Sequence, residues 1–114
     1  MKQDPSYSEH YAAIFQDRLK LQSALVELED QDEDLGTRID LAMALGDCHE
    51  VAAEESLLKI ASNAFEHASL VDACGESLGE IWSRGGEIPY DKFKELTPSA
   101  KKIAEATFAA HNRN

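Results

Sequence analysis

The chain has 114 residues, 43% of them apolar and 7% aromatic. That suits one domain with a packed core and is too apolar for a disordered tail. Acids outnumber bases 22 to 11, for a formal net charge of −11, a field that repels nucleic acid and anionic membrane and attracts basic proteins.

Two cysteines, Cys48 and Cys74, make no disulfide framework. The opening Met1-Lys-Gln-Asp-Pro-Ser-Tyr7 has no signal-peptide apolar stretch, and no run reaches membrane-span length. The expectation is a cytoplasmic protein with both thiols buried as small hydrophobes.

Helical periodicity dominates and strand alternation is almost absent. A first helix is predicted after Asp4-Pro5-Ser6, capped by Ser6 or Ser8, and runs to about Glu29, whole or with one break. Tyr11, Ile14, Leu21, Leu25 and Leu28 share its apolar face, widened by Phe15, Leu19 and Val26. Residues 27–34 then carry six acids in eight positions, a run whose self-repulsion disfavours helix interior and predicts a turn. Asp32 or Asp34 caps a second helix over 33–46, with Leu35, Ile39, Ala42, Met43 and Leu45 inward and Gly46 as its C-cap.

A third helix over about 49–63 is anchored by Val51, Leu57, Leu58, Ala61 and Phe65. A fourth, over about 67–84, has the cleanest stripe: Val71, Cys74, Leu78, Ile81 and Trp82, stopped by Arg84-Gly85-Gly86. Glu87-Ile88-Pro89-Tyr90 is a loop. Asp91 caps a short helix through Phe93 and Leu96, and Thr97-Pro98 starts a last helix over 98–111 carrying Ile103, Ala104, Ala106, Thr107 and Phe108.

Leu41-Ala-Met-Ala-Leu-Gly-Asp47 is echoed at one fixed offset by Cys74-Gly-Glu-Ser-Leu-Gly-Glu80: Leu41 matches Cys74, Leu45 matches Leu78, Gly46 matches Gly79 and Asp47 matches Glu80. A fixed period of this size is the mark of stacked helical pairs. At Leu41–Gly46 and Ser77–Ile81 the chain resembles a HEAT-like repeat protein. The resemblance covers about 33–84 well and the ends loosely, and the third unit lacks the Leu-Gly ending. It implies an all-α fold, a right-handed stack of antiparallel helix hairpins with about five or six helices. A single domain over 1–114 would hold hairpins at about 7–46, 49–84 and 90–111, with a plain helical bundle as the alternative.

Gly75-Glu76-Ser77-Leu78-Gly79 matches G-x-S-x-G, with Asp91 and His111 following in hydrolase order. The elbow needs a strained strand-to-helix turn beside oxyanion donors. Here it sits inside a helical stripe, where two small residues serve close helix packing. A serine hydrolase is therefore the remote alternative. No metal or cofactor is expected. Cys48-His49 is a single pair, no histidine has a glutamate three residues before it, and neither Glu54-Glu55 nor the 27–34 run has the EF-hand pattern. Lys92, Lys94, Lys101 and Lys102 read as a solvated face, and no nucleic acid is expected.

The acids are better placed. Asp72, Glu76 and Glu80 stand at i, i+4 and i+8, and Glu33, Asp40 and Asp47 share a polar face of the second helix. Second helices line the concave surface of HEAT-like units, so the resemblance implies an acidic one. Small, acidic, helical chains without a catalytic constellation are similar in type, not in motif, to bacterial toxin-immunity proteins such as those paired with contact-dependent growth inhibition toxins. The expectation is a non-enzymatic protein that masks a basic, nuclease-like toxin domain, with a HEAT-like adaptor or scaffold as the alternative. Its candidate partner-binding residues are Glu29, Asp30, Asp32, Glu33, Asp34, Asp40, Asp72, Glu76 and Glu80.

Overall fold

The computed structural model describes residues 17–112. They form six helices and no strand. The expected caps Ser6 and Ser8 and the apolar positions Tyr11, Ile14 and Phe15 lie outside the described residues.

Helix α1 (Arg18–Glu29) begins at Asp17, whose carboxylate accepts from the Leu19 and Lys20 amides at 2.9 and 3.3 Å. Its buried stripe is Leu21, Ala24, Leu25 and Leu28, at i, i+3, i+4 and i+7. Leu19 and Val26 do not widen that stripe. They are 74% and 71% exposed because they fall on a different side of the helix.

Helix α2 (Leu35–Ala44) is capped by Asp34, which accepts from the Thr37 amide at 3.0 Å. It tightens into a 3-10 turn over Leu45–Asp47. Gly46 is therefore not a left-handed C-cap. It is buried inside the turn, and a Cβ there would collide with the Glu80 carboxylate and crowd the Ser77 hydroxyl. Met43, expected inward, is exposed. The buried stripe is instead Arg38, Leu41, Ala42 and Leu45.

Helix α3 (Val51–Ala61) buries Ala53, Ser56, Leu57, Ile60 and Ala61. Val51 is exposed, since the stripe starts two positions later. Phe65 lies past the helix end and is 99% exposed, so it is no anchor of the core.

Helix α4 (Ala68–Gly85) is the central element and packs against α2, α3 and α6. Val71, Cys74, Leu78 and Trp82 are buried as the stripe predicts, with Ile81 partly so. Leu70, Ala73, Gly75, Ser77 and Gly79 are buried as well, because neighbours cover more than one face. The helix stops where Gly86 takes φ 79°, the left-handed conformation that glycine reaches without a Cβ clash.

Helix α5 (Tyr90–Phe93) is one turn, with Pro89 and not Asp91 at its N-cap. Leu96 is buried just beyond it, and the Phe93 ring meets Trp82 edge-on at 6.5 Å. Helix α6 (Pro98–His111) starts as expected, with Thr97 Oγ1 accepting from the Ala100 amide at 3.2 Å. It lies so close to α4 that a Cβ on Gly75 would stand 3.0 Å from the Ala100 carbonyl oxygen, and one on Gly79 2.7 Å from that of Ala104. These two glycines are packing residues, as helix-to-helix approach requires.

Candidate functional site

The acidic turn between α1 and α2 is built from its own carboxylates. Asp30 accepts from the Asp32 amide at 2.9 Å, Glu33 from the Asp34 amide at 2.9 Å, and Asp34 caps α2. Each bond fixes backbone and leaves the negative charge unneutralised. Crowding shows at Glu27, whose carboxyl is raised by a hydrogen bond shared with Glu33, by burial, and by the charges of Glu33 and Asp30. Asp30, Asp32 and Asp34 are exposed and Glu33 is half-buried.

This turn rests on a buried ion pair that the sequence reading did not single out. Arg38 Nη2 lies 2.9 Å from Glu66 Oε2, with both side chains 2% exposed. Arg38 Nη1 donates to Glu66 Oε1 at 3.3 Å, and Nε donates to the Leu28 carbonyl at 2.7 Å. Gln31 in the acidic turn donates to Glu66 Oε2 at 3.1 Å. The end of α1, the turn, α2 and the α3–α4 connection thus share one polar node. Arg38 holds the Glu66 carboxyl below its ordinary value against the opposing effect of burial. Its signal in the sequence is a base at a stripe position, three residues before Leu41 and seven before Leu45.

Glu29 is committed elsewhere. Ser56 donates to its Oε2 at 2.5 Å and Lys59 to its Oε1 at 2.8 Å, clipping α1 to α3. Burial pushes the Glu29 carboxyl up, but Lys59 and Ser56 outweigh it and the net shift is down.

The α4 acids occupy a second place, flanked by α2 and α6. Asp72 accepts from Ser99 Oγ of α6 at 3.1 Å. Glu76 is exposed. Glu80 lies over Gly46, and its carboxyl is raised by burial and then by the charges of Asp47 and Glu76. Glu80 thus feels the charge of Asp47, its match in the sequence echo, while Asp40 is exposed on α2. Of the candidate acids, Asp30, Asp32, Glu33 and Asp34 gather in the turn and Glu76 and Glu80 lie on α4, while Asp40 stands on α2 apart from the turn and Glu29 and Asp72 are tied into packing.

Gly75–Gly79 forms no nucleophile elbow. It is helical throughout, and Ser77 is 1% exposed with Oγ donating to the Ala42 carbonyl at 2.5 Å. Among the described residues no group of three or more His, Cys, Asp or Glu side chains converges to hold a metal. Trp82 is core, its Nε1 donating to Glu54 at 2.7 Å, and Lys92 meets the same carboxylate at 2.9 Å. Burial raises the Cys48 thiol and pushes Cys74 up to about 12. Among the described residues no helix is long and apolar enough to cross a membrane. No family model, curated protein or solved structure matches the chain.

Proposed function

We propose that this chain is a non-enzymatic binding protein that covers the basic surface of a cognate protein. We read it as an immunity protein for a nuclease-like toxin of the contact-dependent growth inhibition type, working in the cytoplasm. The observation that carries the reading is the 30–34 turn, in which the Asp30, Glu33 and Asp34 carboxylates are held by backbone amides and, among the described residues, none is paired with a basic side chain. A rigid negative knuckle on a chain of net charge −11 steers a cationic cleft toward it and excludes substrate phosphates once docked. The half-buried Glu80 and its neighbours offer a second, weaker patch.

A HEAT-like stack of three hairpins is part of the same reading. Gly46 faces α4 at Ser77 and Glu80, and its repeat equivalent Gly79 faces α6 at Ala104 and Thr107. Equivalent positions meeting successive second helices support a repeat, and they also suit the adaptor alternative.

The test is a low-salt capture from the native host with mass spectrometry, repeated at high salt, followed by co-expression with any basic domain recovered. Stoichiometric, salt-sensitive retention of one basic domain, with rescue of growth when both chains are expressed, is the expected result. Recovery of cellular machinery without a toxic domain would overturn the immunity reading and favour the adaptor.

A further inference from the structure

Phe65 stands in water on a fixed backbone. It is 99% exposed, more than any other large apolar side chain among the described residues. Asn63, just past the end of α3, accepts the Phe65 amide on Oδ1 at 2.9 Å and the Glu66 amide on its carbonyl at 3.2 Å. Its own amide donates to the Ile60 carbonyl at 3.0 Å. Glu66, next in the chain, is clamped by Arg38 in the buried ion pair. The same Glu66 carboxylate accepts from Gln31 at 3.1 Å, and Gln31 lies between Asp30 and Asp32, both exposed. An exposed aromatic ring and two exposed carboxylates therefore each stand one residue from the Gln31–Glu66 contact. Among the described residues neither aspartate is paired with a basic side chain.

We propose that Phe65 is the apolar anchor of the partner interface, entering a pocket on a basic protein whose rim of lysine or arginine faces Asp30 and Asp32. The proposal rests on the reading of the 30–34 turn as a contact surface, and adds to it an anchor residue and the shape of the partner's site. Charge complementarity selects the occupant. Covering the ring also draws water from the neighbouring carboxylates, which is unfavourable unless the covering surface supplies cations. A second copy of this chain brings the same turn and a net charge of −11, and is repelled. Nucleic acid and anionic membrane bring phosphates to the same carboxylates and are repelled as well. A cationic protein with an apolar pocket meets both requirements. The fixed backbone under Phe65 lowers the ordering cost of docking. An aromatic anchor ringed by polar contacts that exclude water is the arrangement that concentrates binding energy in few residues.

Two synthetic probes test it on the full chain at low salt: a peptide of alternating arginine and leucine, and one with serine in place of every leucine. Amide shifts report where each binds. The arginine–leucine peptide is expected to shift both 30–32 and 63–66, and to bind Phe65→Ser at least about fivefold more weakly while Phe65→Leu keeps most of the affinity. The arginine–serine peptide is expected to shift 30–32 and to bind wild type and Phe65→Ser alike. Equal affinity of the arginine–leucine peptide for wild type and Phe65→Ser, with the shifts at 30–32 retained, overturns the anchor and leaves the turn reading standing. No shift at 30–32 with either peptide overturns the turn reading and the anchor with it. The free chain supplies a second readout. Phe65→Ser is expected to melt within about 2 °C of wild type, since no burial is lost. A fall well beyond that means the chain covers the ring itself and overturns the proposal. So does self-association that Phe65→Ser abolishes, which gives the ring to a second copy.

Discussion

Replacing Arg38 by methionine isolates the buried node beneath the acidic turn. Arg38 is 1% exposed and spends three donors on two partners: Nη1 and Nη2 on the Glu66 carboxylate, and Nε on the Leu28 carbonyl at 2.7 Å. Methionine keeps much of the stem volume and removes every donor. Glu66 is left as a buried charge with only Gln31 and the His67 amide as donors. Breaking a buried pair by removing one partner costs about 3–5 kcal/mol, because the stranded charge is not rehydrated. That is a large share of the 5–15 kcal/mol typical of a domain. At about 4 °C per kcal/mol for a chain of this size, the melting temperature falls by roughly 12–20 °C. Urea unfolding followed by Trp82 fluorescence measures the loss directly. The double variant Arg38→Met with Glu66→Leu removes both charges and is expected to recover at least half of it. Acid dependence gives a second readout. Glu66 has its folded carboxyl lowered from 4.5, first through Arg38. Its contribution is complete above 4.5 and is lost as pH falls through the lowered value, so this acid-side loss flattens in Arg38→Met. A cost under about 1 kcal/mol, or a double variant worse than the two single losses together, would refute the claim that the node is a satisfied buried pair.

Leu78→Ala is expected to cost about 2–5 kcal/mol, since Leu78 is fully buried in the central helix; a melting shift within error would mean its stripe is not core. Gly79→Ala is expected to cost about 1–3 kcal/mol, because the new Cβ would stand 2.7 Å from the Ala104 carbonyl oxygen. Gly85→Ala, with nothing within 4 Å of its Cβ, should instead gain up to about 1 kcal/mol, and equal effects in the pair would dismiss close α4–α6 approach. Alkylation of Cys74, buried and with its thiol near 12, should proceed only at the rate of unfolding, as tested by iodoacetamide at pH 8 with and without urea. Charge reversal at Asp30 and Asp32 should slow association with a basic partner at low salt and leave the melting temperature nearly unchanged, while an unchanged on-rate would remove the turn from the interface.

Helix positions were readable because burial follows a period, and Leu21–Leu28 or Val71–Trp82 repeat it without interruption. What escaped reading did so for local reasons. Leu19, Val26, Val51 and Phe65 are apolar by type, but their exposure depends on which neighbour lies over them. Gly46 has the composition of a helix stop, yet its role is set by Glu80, remote in sequence. Arg38 broke an apolar stripe, and its partner Glu66 could be found only once α3 had turned back to α4. Among the candidate site residues, net charge marked the right loop but not the division of labour within it. Nothing in Glu29 distinguishes it from Asp30, although one is bound by Ser56 and Lys59 and the other turns outward.

Gly46 and Gly79, each following a leucine, share one physical account in their contacts. Gly46 lies against Ser77 and Glu80, and Gly79 lies against Ala104 and Thr107. Each glycine stands where another helix approaches, and a side chain there would push that helix away. Interior glycine costs about 1 kcal/mol against alanine, so it persists where close approach offsets that cost. Helix α6 meets α4, and no further helix follows it among the described residues. On its side toward α4, helix α6 presents the small residues Ala100 and Ala104. Placing a glycine at the end of α6 would therefore loosen that helix without improving any contact.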